Sequence, residues 1–127
     1  MNENEISKIV LDCAFYIHRK LGPGLLEKTY LNTLHYVLEK KGLKVEKEKA
    51  MPLIFEEVRL DQGYRLDLLV ENKLVIEIKS VEALNDVHTA QVLTYLKIGE
   101  YKLGLLINFN ESLLKNGIRR YINGKID

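Results

Sequence analysis

The sequence predicts a mixed α/β (α+β) domain: a small mixed β-sheet flanked by helices, with a βαβ unit at 74–108. Three observations carry that expectation. Helical periodicity dominates the first forty residues or so. Apolar and polar residues then alternate in strand fashion between residues 64 and 81, and the chain continues as strand, helix, strand. With 127 residues, 46% of them hydrophobic, there is apolar material for one core, so a single domain over 1–127 is expected.

Ile6, Ile9, Val10, Cys13, Ala14, Ile17 and Leu21 recur at helical spacing and predict an amphipathic helix over 4–20. "LGPG", Leu21 to Gly24, ends it, since Pro23 disfavours helix at Gly22 and glycine permits a turn. A second helix is expected from Leu25 to Lys41, closed by Gly42. Strands follow at 43–49 and 53–60, the first heavily charged. "DQG" at 61–63 is the expected turn into strands at 64–70 and 74–81. Asn85 or Asp86 caps a helix over 86–98, stopped by Gly99, and "YKLGLLINF" is the next strand. The tail predicts a helical turn and then a short edge strand. Strand 74–81, helix 86–98 and strand 101–108 form the βαβ unit, whose strands should be parallel and whose crossover right-handed.

A net charge of +1 supplies no global field toward nucleic acid or membrane, so a nucleic-acid role must rest on a local site. Lys44, Lys47, Lys49, Arg119 and Arg120 are interleaved with acids and read as solvated surface. The single cysteine, Cys13, excludes an internal disulfide and fits a reducing cytoplasm, the expected location. "MNENEISK" is unlike a signal peptide, and no apolar run approaches a membrane span. His18, His35 and His88 are expected at the surface, too widely spaced for zinc. There is no GxGxxG, phosphate-loop or GxSxG motif.

Charge inside the central strands is the informative anomaly. By strand alternation Leu66, Leu68 and Val70 share one face and Arg65, Asp67 and Leu69 the other, while Val75, Glu77 and Lys79 oppose Leu74, Ile76 and Ile78. A three-residue loop centred on Asn72, which tolerates a left-handed backbone, sets Asp67 opposite Glu77; a two-residue turn separates them. We expect the three-residue loop or an equivalent bulge. A half-exposed cross-strand charge cluster explains these residues equally well from the hairpin alone. The βαβ unit weakens that explanation, because it should cover the Glu77 strand with a helix. Two covered carboxylates repel unless a cation sits between them, and oxygen donors of this kind suit Mg²⁺.

Two helices add polar residues on apolar arcs. On the second, Leu26, Val37, Tyr30, Leu34, Leu38 and Leu31 span about 140°, and Glu27 falls inside at about 100°, aimed at the core or at a site on its edge. A first-turn glutamate serving the helix dipole accounts for Glu27 equally well. On the third, Val87, Gln91, Tyr95 and Ile98 form one stripe, with Gln91 and Tyr95 one turn apart and able to address a single ligand. A buried amide and a core tyrosine are the commoner reading.

Asp67 followed by Glu77-Ile78-Lys79, with an acid on an upstream helix and a glutamine on a downstream one, resembles the PD-(D/E)xK nuclease superfamily. "GLLEKTY" (Gly24, Glu27, Tyr30) is similar to the motif of the GxxExxY protein family, as are "GYRLDLLVENKLVIEIKSV", "HTAQVLTYL" and "LGLLINFN". Gln91 and Tyr95 also resemble the QxxxY element of RecB-type nucleases, and Leu66 stands where the superfamily name has proline. The resemblance covers residues 5 to 123 and implies a restriction-endonuclease-like core. It further implies a Mg²⁺- or Mn²⁺-dependent hydrolase of DNA, with RNA the second choice. Asp67, Glu77 and the Ile78 backbone carbonyl would hold the metal, with Glu27 as a further ligand or a partner of the attacking water. Lys79 would orient that water, Gln91 and Tyr95 would position Lys79 or the phosphate backbone, and Tyr30 joins them as a substrate-positioning candidate. The alternatives are a catalytically idle nucleic-acid-binding module and a structural or interaction domain in which the charges bridge one another. A homodimer is one expected route to specificity in so short a chain.

Overall fold

Asn2 starts the first helix through a reciprocal cap: its side-chain oxygen accepts from the Glu5 N–H at 2.9 Å, and the Glu5 carboxylate accepts from the Asn2 N–H at 3.0 Å. In the computed structural model, which describes residues 1–61 and 63–127, that helix is α1 (Glu3–Leu21). It ends where Gly22 takes a φ of 69°, a conformation that favours glycine. Helix α2 (Glu27–Lys40) begins two residues later than expected. Leu25 and Leu26 are held outside it: the Tyr30 hydroxyl accepts from the Leu25 N–H, and Leu26 is extended.

Among the described residues seven strands follow: β1 (Val45–Ala50), β2 (Leu53–Phe55), β3 (Val58–Leu60), β4 (Arg65–Val70), β5 (Leu74–Lys79), β6 (Leu103–Asn108) and β7 (Ile118–Ile122). Five make one sheet in the order β1-β4-β5-β6-β7. Helix α3 (Asp86–Gly99), capped by Asn85, connects β5 to β6, which pair in parallel as the βαβ pattern requires. All other neighbours in the sheet are antiparallel. The tail is a 3-10 turn (Leu114–Gly117) and then the edge strand β7. Helices α1 and α2 cover one face of the sheet over Leu68, Val70, Leu74, Ile76 and Ile78. Helix α3 covers the other over Leu66, Leu69, Val75 and Leu106. This is the mixed, helix-flanked sheet that the sequence predicts. No described helix is long and apolar enough to cross a membrane.

Several expectations need correction. The strand at 53–60 is a separate hairpin, β2 with β3, turning at Glu56, whose φ is 57°. Glutamate gives no turn signal, so the reversal is invisible in sequence. The expected turn at "DQG" includes Gln62, which lies outside the described residues. Gly99 does not stop α3; the left-handed cap is Glu100, and an added Cβ at Gly99 would meet the Met51 methyl at 2.7 Å. Val87 leaves the polar stripe of α3 and is 73% exposed. The three histidines are half-buried: the His18 ring meets the Glu111 carbonyl oxygen at 2.7 Å, and the His88 ring accepts from the Asn85 N–H.

The most consequential correction concerns β4. Leu66 packs with Leu69 and Val75 under α3, not with Leu68 and Val70 under α1 and α2, so the alternation of faces slips once near Asp67. Strand β1 slips at the same level. Glu48, which the register places across from Asp67, has a φ of 52°. Its neighbour Lys47 donates to Asn32 on α2, and Glu48 itself pairs with Lys28 on α2, so two successive residues address one helix. Glu46 and Lys49, three apart, meet on the strand at 2.9 Å. The register stays in step through the fault because both strands carry it.

Candidate functional site

The β4–β5 hairpin turns over Glu71, Asn72 and Lys73, with φ of 53° at Glu71 and 57° at Asn72. This three-residue loop gives the pairs Val70 with Leu74, Leu69 with Val75 and Leu68 with Ile76. Continued one step, the register sets Asp67 against Glu77, as the loop length predicts. There the ladder stops. Beyond it, among the described residues, β4 pairs only with β1, and β5 only with β6.

The two carboxylates fill the fork between the strands. The Asp67 N–H donates to Glu77 Oε1 at 3.1 Å, and the Ile78 N–H donates to Asp67 Oδ2 at 2.8 Å. Side chains thus replace ladder bonds, each acid spending one oxygen on the opposite strand's backbone. Glu77 is 2% exposed and Asp67 half-buried. Burial first, then the charge of Asp67, push the Glu77 carboxyl up to about 9, against the opposing pull of its bond from the Asp67 N–H and of Lys79. Asp67 is raised as well, chiefly by burial and further by Glu27, while the Ile78 N–H and Lys79 work to lower it. Without a cation the pair keeps a proton at neutral pH. That is the behaviour of a site with one negative charge too many.

Around the fork stand the other residues singled out by sequence, except Tyr30. Lys79, half-buried at the end of β5, is near enough for its charge to act on both acids. On α3 the Gln91 side-chain amide donates to the Tyr95 hydroxyl at 3.1 Å, and burial and then the Glu77 charge raise Tyr95. Glu27 is exposed at the start of α2, on the edge of the site rather than in the core. With Leu26, Lys28, Leu31, Glu48, Arg65 and Asp67 it lines a cavity of about 510 Å³ opening onto the fork. Among the described residues no three His, Cys, Asp or Glu side chains form a metal-sized group, so Glu27 does not join Asp67 and Glu77 as a third close ligand.

Tyr30 is not part of this site. Its ring is fully buried, stacked on Phe109 at 4.6 Å, and its hydroxyl donates to the Gly22 carbonyl at 2.5 Å. It holds the loop that aims the start of α2 and leaves nothing for a substrate. Two further contributors, Asn108 and Ser80, fall within the family-like segments "LGLLINFN" and "GYRLDLLVENKLVIEIKSV" without being singled out there. Asn108, fully buried at the end of β6, accepts from the Val81 and Asn110 N–H groups and donates to the Val81 carbonyl, bracing the loop between β5 and α3. The Ser80 hydroxyl donates to the Leu25 carbonyl at 2.7 Å and ties β5 to the start of α2. A polar residue at a strand end is a weak signal, and neither stood out.

The donor set suits a hard divalent cation: carboxylate oxygens, with no histidine or sulfur among them. Asp67 Oδ1 and Glu77 Oε2 remain after the backbone bonds are counted. Two carboxylates suffice for Mg²⁺, which keeps several waters and completes its shell with substrate oxygens. A larger cavity of about 690 Å³ between α1 and α2, lined by Ile9, Cys13 and Val37 among others, holds no such pair.

Among known proteins, the family model described as the PD-(D/E)XK nuclease superfamily matches residues 4–121. Neither the curated proteins nor the solved structures yield a match.

Proposed function

Because the chain belongs to the PD-(D/E)XK nuclease superfamily, we propose that it is a divalent-metal-dependent phosphodiester hydrolase acting on DNA, a member of the GxxExxY type. The observation that carries the reading is the meeting of Asp67 and Glu77 in the fork between β4 and β5, buried and short of a positive charge.

Asp67 and Glu77 are the proposed holders of Mg²⁺ or Mn²⁺, helped by the Ile78 carbonyl, which on an extended strand shares an edge with its N–H. When bound, the cation supplies Lewis acidity toward a phosphoryl oxygen and toward the attacking water. Lys79 orients that water and stabilises charge growing on the phosphate. Glu27, at the cavity mouth, accepts a proton from water or steers it. Gln91 fixes the Tyr95 hydroxyl, and together they position the substrate backbone beside Lys79.

The test is a panel of DNA and RNA substrates of varied shape, with and without Mn²⁺. Wild type should cut DNA only with metal. Asp67→Ala and Lys79→Ala should lose that activity by roughly 10²-fold or more while keeping their fold. Equal background cutting by all three proteins would sink the proposal. Salt-sensitive DNA binding with no cutting under any metal would assign the idle binding module instead. Sequence-specific cutting, if found, is proposed to need a second copy of the chain, which solution mass checks.

A further inference from the structure

Glu48 is a strained residue with a task the hydrolytic site does not use. Its backbone has a φ of 52° in the middle of β1, level with Asp67. Such strain persists only where the surroundings impose it, and it concentrates at functional sites. The fault turns its carboxylate toward α2, where two cations from different elements converge on it. Lys28 Nζ lies 2.8 Å from Glu48 Oε1, and Arg65 Nη1 lies 3.8 Å from Glu48 Oε2. All three line the same cavity as Asp67 and Glu27. Both cations are well exposed, with 67% and 62% of their side chains open to solvent.

We propose that Lys28 and Arg65 form a phosphate-binding clamp at the mouth of the cavity, and that Glu48 occupies it as an internal stand-in for a backbone phosphate. This rests on the phosphodiesterase reading and names the part of the substrate that the site grips away from the scissile bond. A carboxylate held between a lysine and an arginine presents the charge and the oxygen pair that a phosphodiester presents. Exposed ion pairs of this kind are weak, so an entering phosphate displaces Glu48 readily. Lys28 and Arg65 sit on α2 and β4, the elements that carry Glu27 and Asp67, so a phosphate bridging them anchors the strand across the fork.

Binding of a fluorescent DNA oligonucleotide, measured by anisotropy in EDTA across a salt series, tests the clamp. Glu48→Gln should bind roughly three- to tenfold more tightly than wild type, the factor set by two exposed ion pairs that no longer need breaking. Glu48→Gly, which also suits the left-handed backbone, should do the same and guards against a folding artefact in the first variant. Lys28→Gln and Arg65→Gln should each weaken binding and shrink the slope of log affinity against log salt by about one. Unchanged or weaker binding by both Glu48 variants overturns the clamp, as do unchanged affinities in the two cation variants. If metal-dependent cutting persists in that case, the clamp alone is wrong and the hydrolase stands. Neither binding nor cutting by wild type and Glu48→Gln overturns both. Loss of Mn²⁺ affinity in Glu48→Gln would make Glu48 a metal ligand and likewise end the proposal.

Discussion

Replacing Glu77 with glutamine should stabilise the metal-free protein at neutral pH, although it alters a buried, hydrogen-bonded acid. The folded chain holds the Glu77 proton up to about pH 9, while the unfolded chain releases it near the ordinary value of 4.5. Between those limits the unfolded state binds fewer protons, so stability falls as pH rises, by up to about 1.36 kcal/mol per pH unit. Below pH 4.5 both states are protonated and the effect vanishes. By pH 7 the loss reaches ~3 kcal/mol, a large part of a small domain's stability. Glutamine has the same shape, its amide oxygen can accept the Asp67 N–H, and it has no proton to lose. Urea unfolding in EDTA from pH 4.5 to 8.5 reads the difference. The two proteins should unfold alike near pH 4.5, and the variant should lead by ~3 kcal/mol at pH 7. Mn²⁺ should then raise the wild-type midpoint and leave the variant nearly unmoved, since a cation relieves the charge pair in place of the proton. A variant less stable than wild type at pH 7, or a gap that does not grow with pH, refutes the reasoning.

Tyr30→Phe keeps the stack on Phe109 but strands the Gly22 carbonyl and the Leu25 N–H, so it should cost about 1–3 kcal/mol by chemical denaturation. Cutting well below its melting temperature should change far less than in Tyr95→Phe, because Tyr30 touches no part of the fork. Asn108→Ala leaves the Val81 N–H without its side-chain partner and the Val81 carbonyl with the Asn110 amide alone, and should cost about 1–3 kcal/mol. Hydrogen exchange should show the faster opening first at Val81 and the loop leading into α3.

What the sequence determined by itself was whatever depends on local chemistry. The βαβ unit followed from a strand, a capped helix and a strand in series, and β5 and β6 do pair in parallel. The meeting of Asp67 and Glu77 followed from loop length, since Asn72 accepts a left-handed backbone and an odd loop sets the register. Glu27 was legible as an acid on an apolar arc, although periodicity could not say whether it faced core or cleft. The tertiary structure decided the rest, because it depends on what crosses from one element to another. Tyr30 and Tyr95 are both helical tyrosines on apolar stripes, yet only the packing shows one stacked on Phe109 and the other beside the acids. The fault at Glu48 and Asp67 inverts the faces of two strands, and a glutamate with positive φ leaves no mark in a charged run such as "VEKEKA". The proton on Glu77 is likewise a collective property. The strand puts a carboxyl there, but the layers closing over it withhold the water that would let it ionise.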